Sequence, residues 1–251
     1  MIILNEKKYI KDILSGDRVV DNMYYTLGLL ARYYYQQDKE NNKPAKLYKR
    51  LVEFLKSKNE SEFDWQHNLD KLIKKRDVPL VDVEFVPITK IELVIIKEIK
   101  NRRLEKLAFT LLCIAKLNNT IQPNNNNWVN RDVKEIFKLA NVRDGVIKQY
   151  LSIADLKDLG LLKYSKKIDN INLCVTFIDD ESEVELKIDD FRDLGFQYLA
   201  YLGEGFIKCE CCKKVTPIKG KNQKYCDECK SEIRREQVKN NVANFREKSK
   251  M

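Results

Sequence analysis

Residues 128–177 read WVNRDVKEIFKLANVRDGVIKQYLSIADLKDLGLLKYSKKIDNINLCVTF, and the order of elements in them governs the fold. Val133, Ile136, Phe137 and Ala140 recur at helical spacing, with Asn130 placed to accept from the first free N–H groups. Asn141-Val142 breaks that helix. A second is expected from about Arg143 to Leu159, with Val146, Ile147, Tyr150, Ile153, Ala154 and Leu156 as its apolar positions, and Gly160 stops it. Leu161 to Tyr164 and Ile171 to Ile178 read as strands around the basic turn SKKIDN. Helix, turn, helix and hairpin thus follow one another without interruption.

Upstream, DVPLVDVEFVPITKIEL alternates Val81, Val83 and Phe85 against Asp82 and Glu84, a strand that Pro87 is expected to end. Thr89-Lys90-Ile91-Glu92 has the form of a capping box, in which the threonine and glutamate side chains satisfy each other's backbone N–H groups. The apolar series that follows, Ile91, Leu93, Val94, Ile96 and Ile99, continues with or without a kink through Leu104, Leu107, Leu111 and Ile114 as the hydrophobic spine of the main domain. Cys113 within it reads as a small buried apolar residue. Asn-rich LNNTIQPNNNN is a loop.

With that long helix in front, the elements resemble a winged helix-turn-helix, through DVKEIFKLA and LKDLGLL. The resemblance implies that the second paired helix enters a major groove and that the hairpin touches phosphate. It makes Arg143, Lys148, Gln149 and Ser152 the candidate helix contacts and Lys163, Lys166 and Lys167 the candidate wing contacts. The charge does not favour this. Arg131 to Gly160 holds six Lys/Arg and five Asp/Glu, with Asp144, Asp155 and Asp158 on or beside the reading helix, and acids near phosphate oppose groove binding. Two uses stay open, DNA contact and a scaffold for docking a protein.

The second informative stretch is CECCKKVTPIKGKNQKYCDEC, from Cys209 to Cys229. Cys209-x-x-Cys212 and Cys226-x-x-Cys229 are two knuckles, and the segment between them is long enough for a short hairpin to bring them together. Four thiolates in tetrahedral array suit Zn²⁺, and a closed Cys₄ set leaves no open position, so the expected cofactor is structural zinc. Cys211 is left as a spare thiol. The Lys-rich character of the chain argues against disulfides. Beyond Cys229, Ile233, Val238, Val242 and Phe245 line one side of a basic helix bearing Arg234, Arg235, Lys239 and Arg246.

Charge points the same way. The chain carries +9, and Gly205 to Met251 holds 13 Lys/Arg against 6 Asp/Glu, so +7 of it lies in this tail. Such a pole suggests a nucleic-acid partner. Lys213, Lys214, Lys221, Lys224, Arg234 and Arg235 are the candidate phosphate contacts.

The first 80 residues read as helices with polar connections. The Tyr33-Tyr34-Tyr35 run cannot make one stacking platform, because successive helical residues point about 100° apart, and is read as core and rim packing. His67 is the one histidine, and no G-x-S-x-G stretch accompanies it, so hydrolase readings lack their parts and a non-enzymatic protein is expected. The longest apolar run, Leu107 to Ala115, falls far below the ~18 residues of a membrane span. The start, MIILNEKKYI, lacks signal-peptide features, so the expectation is a cytoplasmic protein without membrane partners.

The module C-x-x-C-K-K … K-Y-C-x-x-C with its basic helix is similar to C-terminal zinc modules of uncharacterised proteins of Firmicute phages and prophages. FTLLCIAKL and NNNNWVNRDVKEIF look like the central part of the same proteins. The resemblance implies a mobile-element origin, and with it the cytoplasm of a host cell. The expected class is mainly α (α+β): a helical region over residues 1–88, a winged-helix-like domain over 89–180, a connecting segment and helix over 181–205, and a zinc ribbon or knuckle with a basic helix over 206–251. The expected function is a phage DNA-binding protein regulating transcription or replication, with double-stranded DNA as partner. The alternative is an adaptor or inhibitor that engages a host nucleoprotein or defence complex.

Overall fold

The computed structural model describes residues 2–20, 22–37, 43–165 and 172–248. They form a mixed α+β chain of ten α-helices and three small sheets among the described residues. It divides into two compact units, residues 3–84 and the chain from Phe85 onward together with Ile2.

The first unit consists of α1 (Glu6–Ser15), α2 (Met23–Gln37), α3 (Pro44–Ser57) and α4 (Glu62–Lys74). Ile10, Leu27, Leu30, Leu47, Leu51, Leu55 and Leu69 form its fully buried centre. Glu6 is buried at the start of α1, where its carboxylate accepts from Arg32 Nη2 at 2.8 Å, Tyr25 Oη at 2.9 Å and the Val81 N–H at 2.7 Å. A buried carboxylate so supplied ties the helices to the chain that leaves them. Tyr34 is buried with the Arg50 guanidinium 3.7 Å from its ring centre, while Tyr33 and Tyr35 pack half-buried on the same core. The tyrosine run is packing.

The second unit opens with β1 (Val86–Thr89), α5 (Lys90–Glu98) and α6 (Arg102–Ile121). The strand begins at Val86 and takes in Pro87, which the sequence pattern alone places at its end. It pairs antiparallel with β5 (Val184–Ile188) in a two-stranded sheet, Val86 against Ile188 and Ile88 against Leu186. Both strands of such a sheet are edges, where a proline's missing N–H is tolerated. The capping box forms: the Thr89 N–H donates to Glu92 Oε2 at 2.8 Å and the Glu92 N–H to Thr89 Oγ1 at 3.4 Å. The spine then breaks. Lys100 adopts φ 53° and Asn101 caps a new helix by accepting from Arg103 and Leu104, so α5 and α6 are separate.

Helix α6 is the axis of this unit. Leu107, Leu111, Leu112, Cys113, Ile114 and Ala115 are all fully buried, which only a helix packed on every side allows. Around it lie β2 (Trp128–Val129), α7 (Val133–Leu139), α8 (Val146–Asp158), β3 (Leu162–Tyr164) and β4 (Leu173–Val175). The three strands form an antiparallel sheet in the order β2-β4-β3, with Val129 opposite Leu173 and Leu162 opposite Val175. The cap of α7 is Asp132, accepting from the Lys134 N–H at 2.8 Å, and not Asn130. The residues before it are drawn into β2, which moves the helix start by two positions. The asparagine tract is an ordered turn: Asn119 Oδ1 accepts from Asn125 Nδ2 and from the Asn127 N–H, both at 3.0 Å. Asn126 and Asn127 adopt φ 51° and 67°, a region asparagine enters more readily than other side chains.

A buried ion pair joins the front of α5 to α6. Lys116 Nζ lies 2.8 Å from Glu92 Oε1 and 2.9 Å from Asp180, and it donates to the Asp179 carbonyl at 3.0 Å. The Asp179 N–H returns a bond to Glu92 Oε1 at 2.9 Å, which fixes the acidic loop ahead of β5.

Residues 181–205, expected as a connector, are integral to this unit. After β5 comes α9 (Leu194–Tyr201), whose buried Tyr198 donates to Glu105 of α6 at 3.0 Å and packs on Phe109 with ring centres 5.2 Å apart. Asn141, at φ 52°, holds the start of α9 by donating to Asp193 at 2.7 Å and accepting from the Phe196 N–H at 3.2 Å. Gly195 permits the approach, since a Cβ there would meet the Ala140 carbonyl oxygen at 1.9 Å. Gly195→Ala is therefore expected to force α9 away from α7 and to cost about 1–3 kcal/mol or more, as overpacking does. Urea unfolding checks it, and Gly205→Ala, with open space around it, is the neutral control.

Candidate metal centre and its basic surroundings

The last elements are β6 (Phe206–Lys208), β7 (Val215–Pro217) and α10 (Asp227–Lys248). Strands β6 and β7 pair as a hairpin, Ile207 opposite Thr216, and the first knuckle is its turn. Lys213 at φ 62° lets that turn close, with the Lys213 N–H on the Cys209 carbonyl and the Cys209 N–H on the Lys214 carbonyl, both at 2.9 Å. The second knuckle is the first turn of α10. The Glu210 N–H donates to the Lys224 carbonyl at 3.0 Å and seats one knuckle against the other.

The four cysteines that the spacing singled out come together. The sulfurs of Cys209, Cys212, Cys226 and Cys229 lie within 4.8 Å of one another, a set that can hold a metal ion. Cys212 Sγ and Cys226 Sγ are 3.7 Å apart. A tetrahedral centre with metal–sulfur bonds of ~2.3 Å puts its sulfurs ~3.8 Å apart. The Cys226 N–H points at Cys209 Sγ at 3.3 Å and the Cys229 N–H at Cys226 Sγ at 3.5 Å, as donors toward thiolates do. Cys211 is exposed and lies outside the set.

Burial disfavours the thiolate of Cys209, but the N–H groups of Cys226, Cys212 and Cys211 outweigh it and bring the pKa down to about 6. Cys229 is pushed the other way, first by burial and then by the neighbouring thiols of Cys226, Cys212 and Cys211. Burial also raises Cys212. Sulfurs this close do not all ionise unless a cation replaces their protons, so metal uptake here releases protons.

The module is anchored to the rest of its unit through the start of α9. Arg192 Nη2 donates to the Cys212 carbonyl at 2.6 Å, and Lys214 lies 3.3 Å from Asp193. Phe206 packs on Phe196 with ring centres 5.0 Å apart.

The basic residues named from the sequence fall into two groups. Lys213, Lys221, Lys224, Arg234 and Arg235 are exposed around the cysteine cluster, and Lys214 is half-buried on its Asp193 partner. Lys224 lies 3.7 Å from Glu210, whereas Lys221, Arg234 and Arg235 have no ion-pair partner among the described residues. The structure adds Lys219 and Lys230, which with Lys221, Lys224 and Tyr225 line a cavity of about 420 Å³ beside the second knuckle. The sequence signal for them was their position flanking K-Y-C-x-x-C. Past Ile233, every described side chain of α10 is exposed, Val238 and Val242 included. Phe245 and Arg246 fall outside the described side chains.

On α8 the candidates separate. Arg143 and Lys148 are exposed, as is Lys163 on β3, and Lys166 and Lys167 lie outside the described residues. Gln149 and Ser152 face inward, a correction to their reading as groove contacts. Gln149 Nε2 donates to the Asp144 carbonyl at 3.0 Å, and Ser152 Oγ donates to the Lys148 carbonyl at 2.7 Å and accepts from Arg103. Ser152 thus ties α8 to α6 through Arg103, and Gln149 closes the turn ahead of the helix. Of the helix's apolar positions, Val146, Ile147 and Tyr150 point outward, while Ile153 and Leu156 are buried. Asp144 is paired with Arg103 at 2.7 Å.

Among the described residues no helix is long and apolar enough to cross a membrane. Comparison of the chain with protein-family models, curated proteins and solved structures returns no match.

Proposed function

We propose that this chain is a non-enzymatic DNA-binding protein of the phage or mobile-element regulator type, whose duplex contacts lie on a zinc-stabilised basic module. The observation that carries the reading is a closed four-cysteine cluster inside a surface of exposed cations, several of them unpaired among the described residues. Zinc is the metal proposed, because four thiolates in a closed tetrahedral set match its preferences and leave it a structural role. Lys221, Lys224 and Lys230 offer cations to backbone phosphate at the cavity, where Lys219 is paired with Asp227, and Arg234 and Arg235 continue the basic surface along α10.

A winged-helix reading of residues 89–180 is supported by the order α6, β2, α7, α8, β3, β4 and by the sheet order β2-β4-β3. Groove reading by α8 is less favoured, because two of its four candidate contacts are buried and its outward face is apolar. That face favours a second reading for this part of the chain, a protein-docking scaffold.

Fluorescence anisotropy on a random-sequence duplex at increasing salt tests the proposal. The wild-type protein is expected to bind with affinity falling steeply as salt rises. Arg234→Ala/Arg235→Ala removes two phosphate contacts and should flatten the log–log salt slope by about 2. Unchanged affinity of that variant at moderate salt would overturn the assignment.

A further inference from the structure

We propose that the outward face of α8 is a self-association surface on which α8 of a second copy packs antiparallel. Val146, Ile147, Tyr150 and Leu151 are 54%, 78%, 46% and 58% exposed. The inward face of the same helix carries the polar Gln149 and Ser152 beside Ile153 and Leu156. A helix that buries Ile153 and Leu156 and still leaves four large apolar side chains in water has a second apolar face for an outside partner. The turn of about 100° per residue puts Ile147, Leu151 and Ala154 on one stripe. Tyr150 and Val146 then flank it on one side, and Lys148 and Asp155 on the other.

The charges identify the occupant. Lys148 stands in the N-terminal half of that flank and Asp155 in the C-terminal half; both are exposed, and neither has an ion-pair partner among the described residues. When two copies of one helix cross antiparallel about a two-fold axis near Leu151, each flank meets itself with its ends reversed. Lys148 of each copy then falls opposite Asp155 of the other, while the apolar stripes interdigitate across the axis. A parallel pairing would set the Lys148/Asp155 flank of each copy against the Val146/Tyr150 flank of the other and leave both charges without a partner. The surface is complementary to itself in one orientation only.

One helix face buries less than the roughly 800 Å² per partner typical of stable dimers, so the association is micromolar and concentration-dependent. It stands independently of nucleic-acid binding. If both hold, pairing two copies gives one duplex two basic modules and raises apparent affinity by avidity.

Sedimentation equilibrium of the full chain, metal-loaded and without nucleic acid, tests it across micromolar concentrations. The wild type is expected to show a monomer–dimer equilibrium, and Leu151→Glu to remain monomeric. Lys148→Glu and Asp155→Lys should each weaken the dimer about tenfold or more, since each sets like charges opposite one another. The double variant Lys148→Glu/Asp155→Lys restores both pairs and should dimerise like the wild type. A wild-type monomer at every concentration, or a double variant no better than the singles, would overturn the proposal.

Discussion

Cys226→Ser is expected to abolish metal binding and unfold the module of residues 206–230, leaving the body around α6 intact. The buried cluster of this module is Cys209, Cys226 and Cys229, with only Cys212 and Tyr225 half-buried against it. Without the metal it has no apolar core to fall back on. Apparent binding free energies of structural zinc sites are about 10–16 kcal/mol, so the ion supplies most of what holds such a module together. The remainder of the unit has its own core along α6 and should keep its helical signal. Elemental analysis of the purified protein should give one zinc per chain for wild type and for Cys211→Ser, and none for Cys226→Ser. Trypsin should then cut among Lys219, Lys221, Lys224 and Lys230 in the variant and in chelator-treated wild type. A full equivalent of zinc retained by Cys226→Ser would remove the cluster from consideration as the metal site. Acid should also release the metal, because the thiolates must be deprotonated to bind it.

The second large effect is expected at Lys116. Lys116→Met leaves the Glu92 carboxylate buried without its cation, a change that costs about 3–5 kcal/mol in comparable buried pairs. The charge is the main cause, since methionine approximates the volume. Glu92→Gln/Lys116→Met should recover part of the loss: the Thr89 N–H points at Oε2 and the Asp179 N–H at Oε1, and the one glutamine oxygen keeps one of these bonds while its amide nitrogen faces the other N–H. Glu92→Leu/Lys116→Met should not, because those two N–H groups would then be stranded. The two tryptophans make the measurement selective, as Trp65 lies in α4 of the first unit and Trp128 in β2 of the second. Urea titration in a Trp65→Phe background reports the second unit alone. A Lys116→Met protein as stable as its parent would show that the pair is not load-sharing with the fold.

The capping box at Thr89–Glu92, the cysteine knuckles and the α7–α8–hairpin order were legible because each depends on residues close in sequence. A cap is set within one turn and a C-x-x-C knuckle within four residues, so the pattern itself is the structure. The break at Lys100-Asn101 was not legible. Apolar spacing continues across it, and the choice to start a new helix rests on Asn101 capping a segment that α9 and the sheet then surround. The direction in which α8 faces is not legible either, for a related reason. Its apolar residues occur on nearly every side, so periodicity alone does not say which side meets α6; Arg103, bonded to Ser152 and the Lys148 carbonyl, decides it.

By itself, the sequence singled out the four cysteines that come together, the basic pole around them, the helix order and the absence of a long apolar span among the described residues. These are local or additive properties, carried by spacing and charge. Tertiary structure decided that residues 181–205 belong to the body, through β1–β5 pairing and the Gly195–Ala140 contact. It also turned Gln149 and Ser152 inward and left Ile147 and Leu151 in water. Each of those outcomes depends on which distant residue arrives opposite, and only the folded chain brings such residues together.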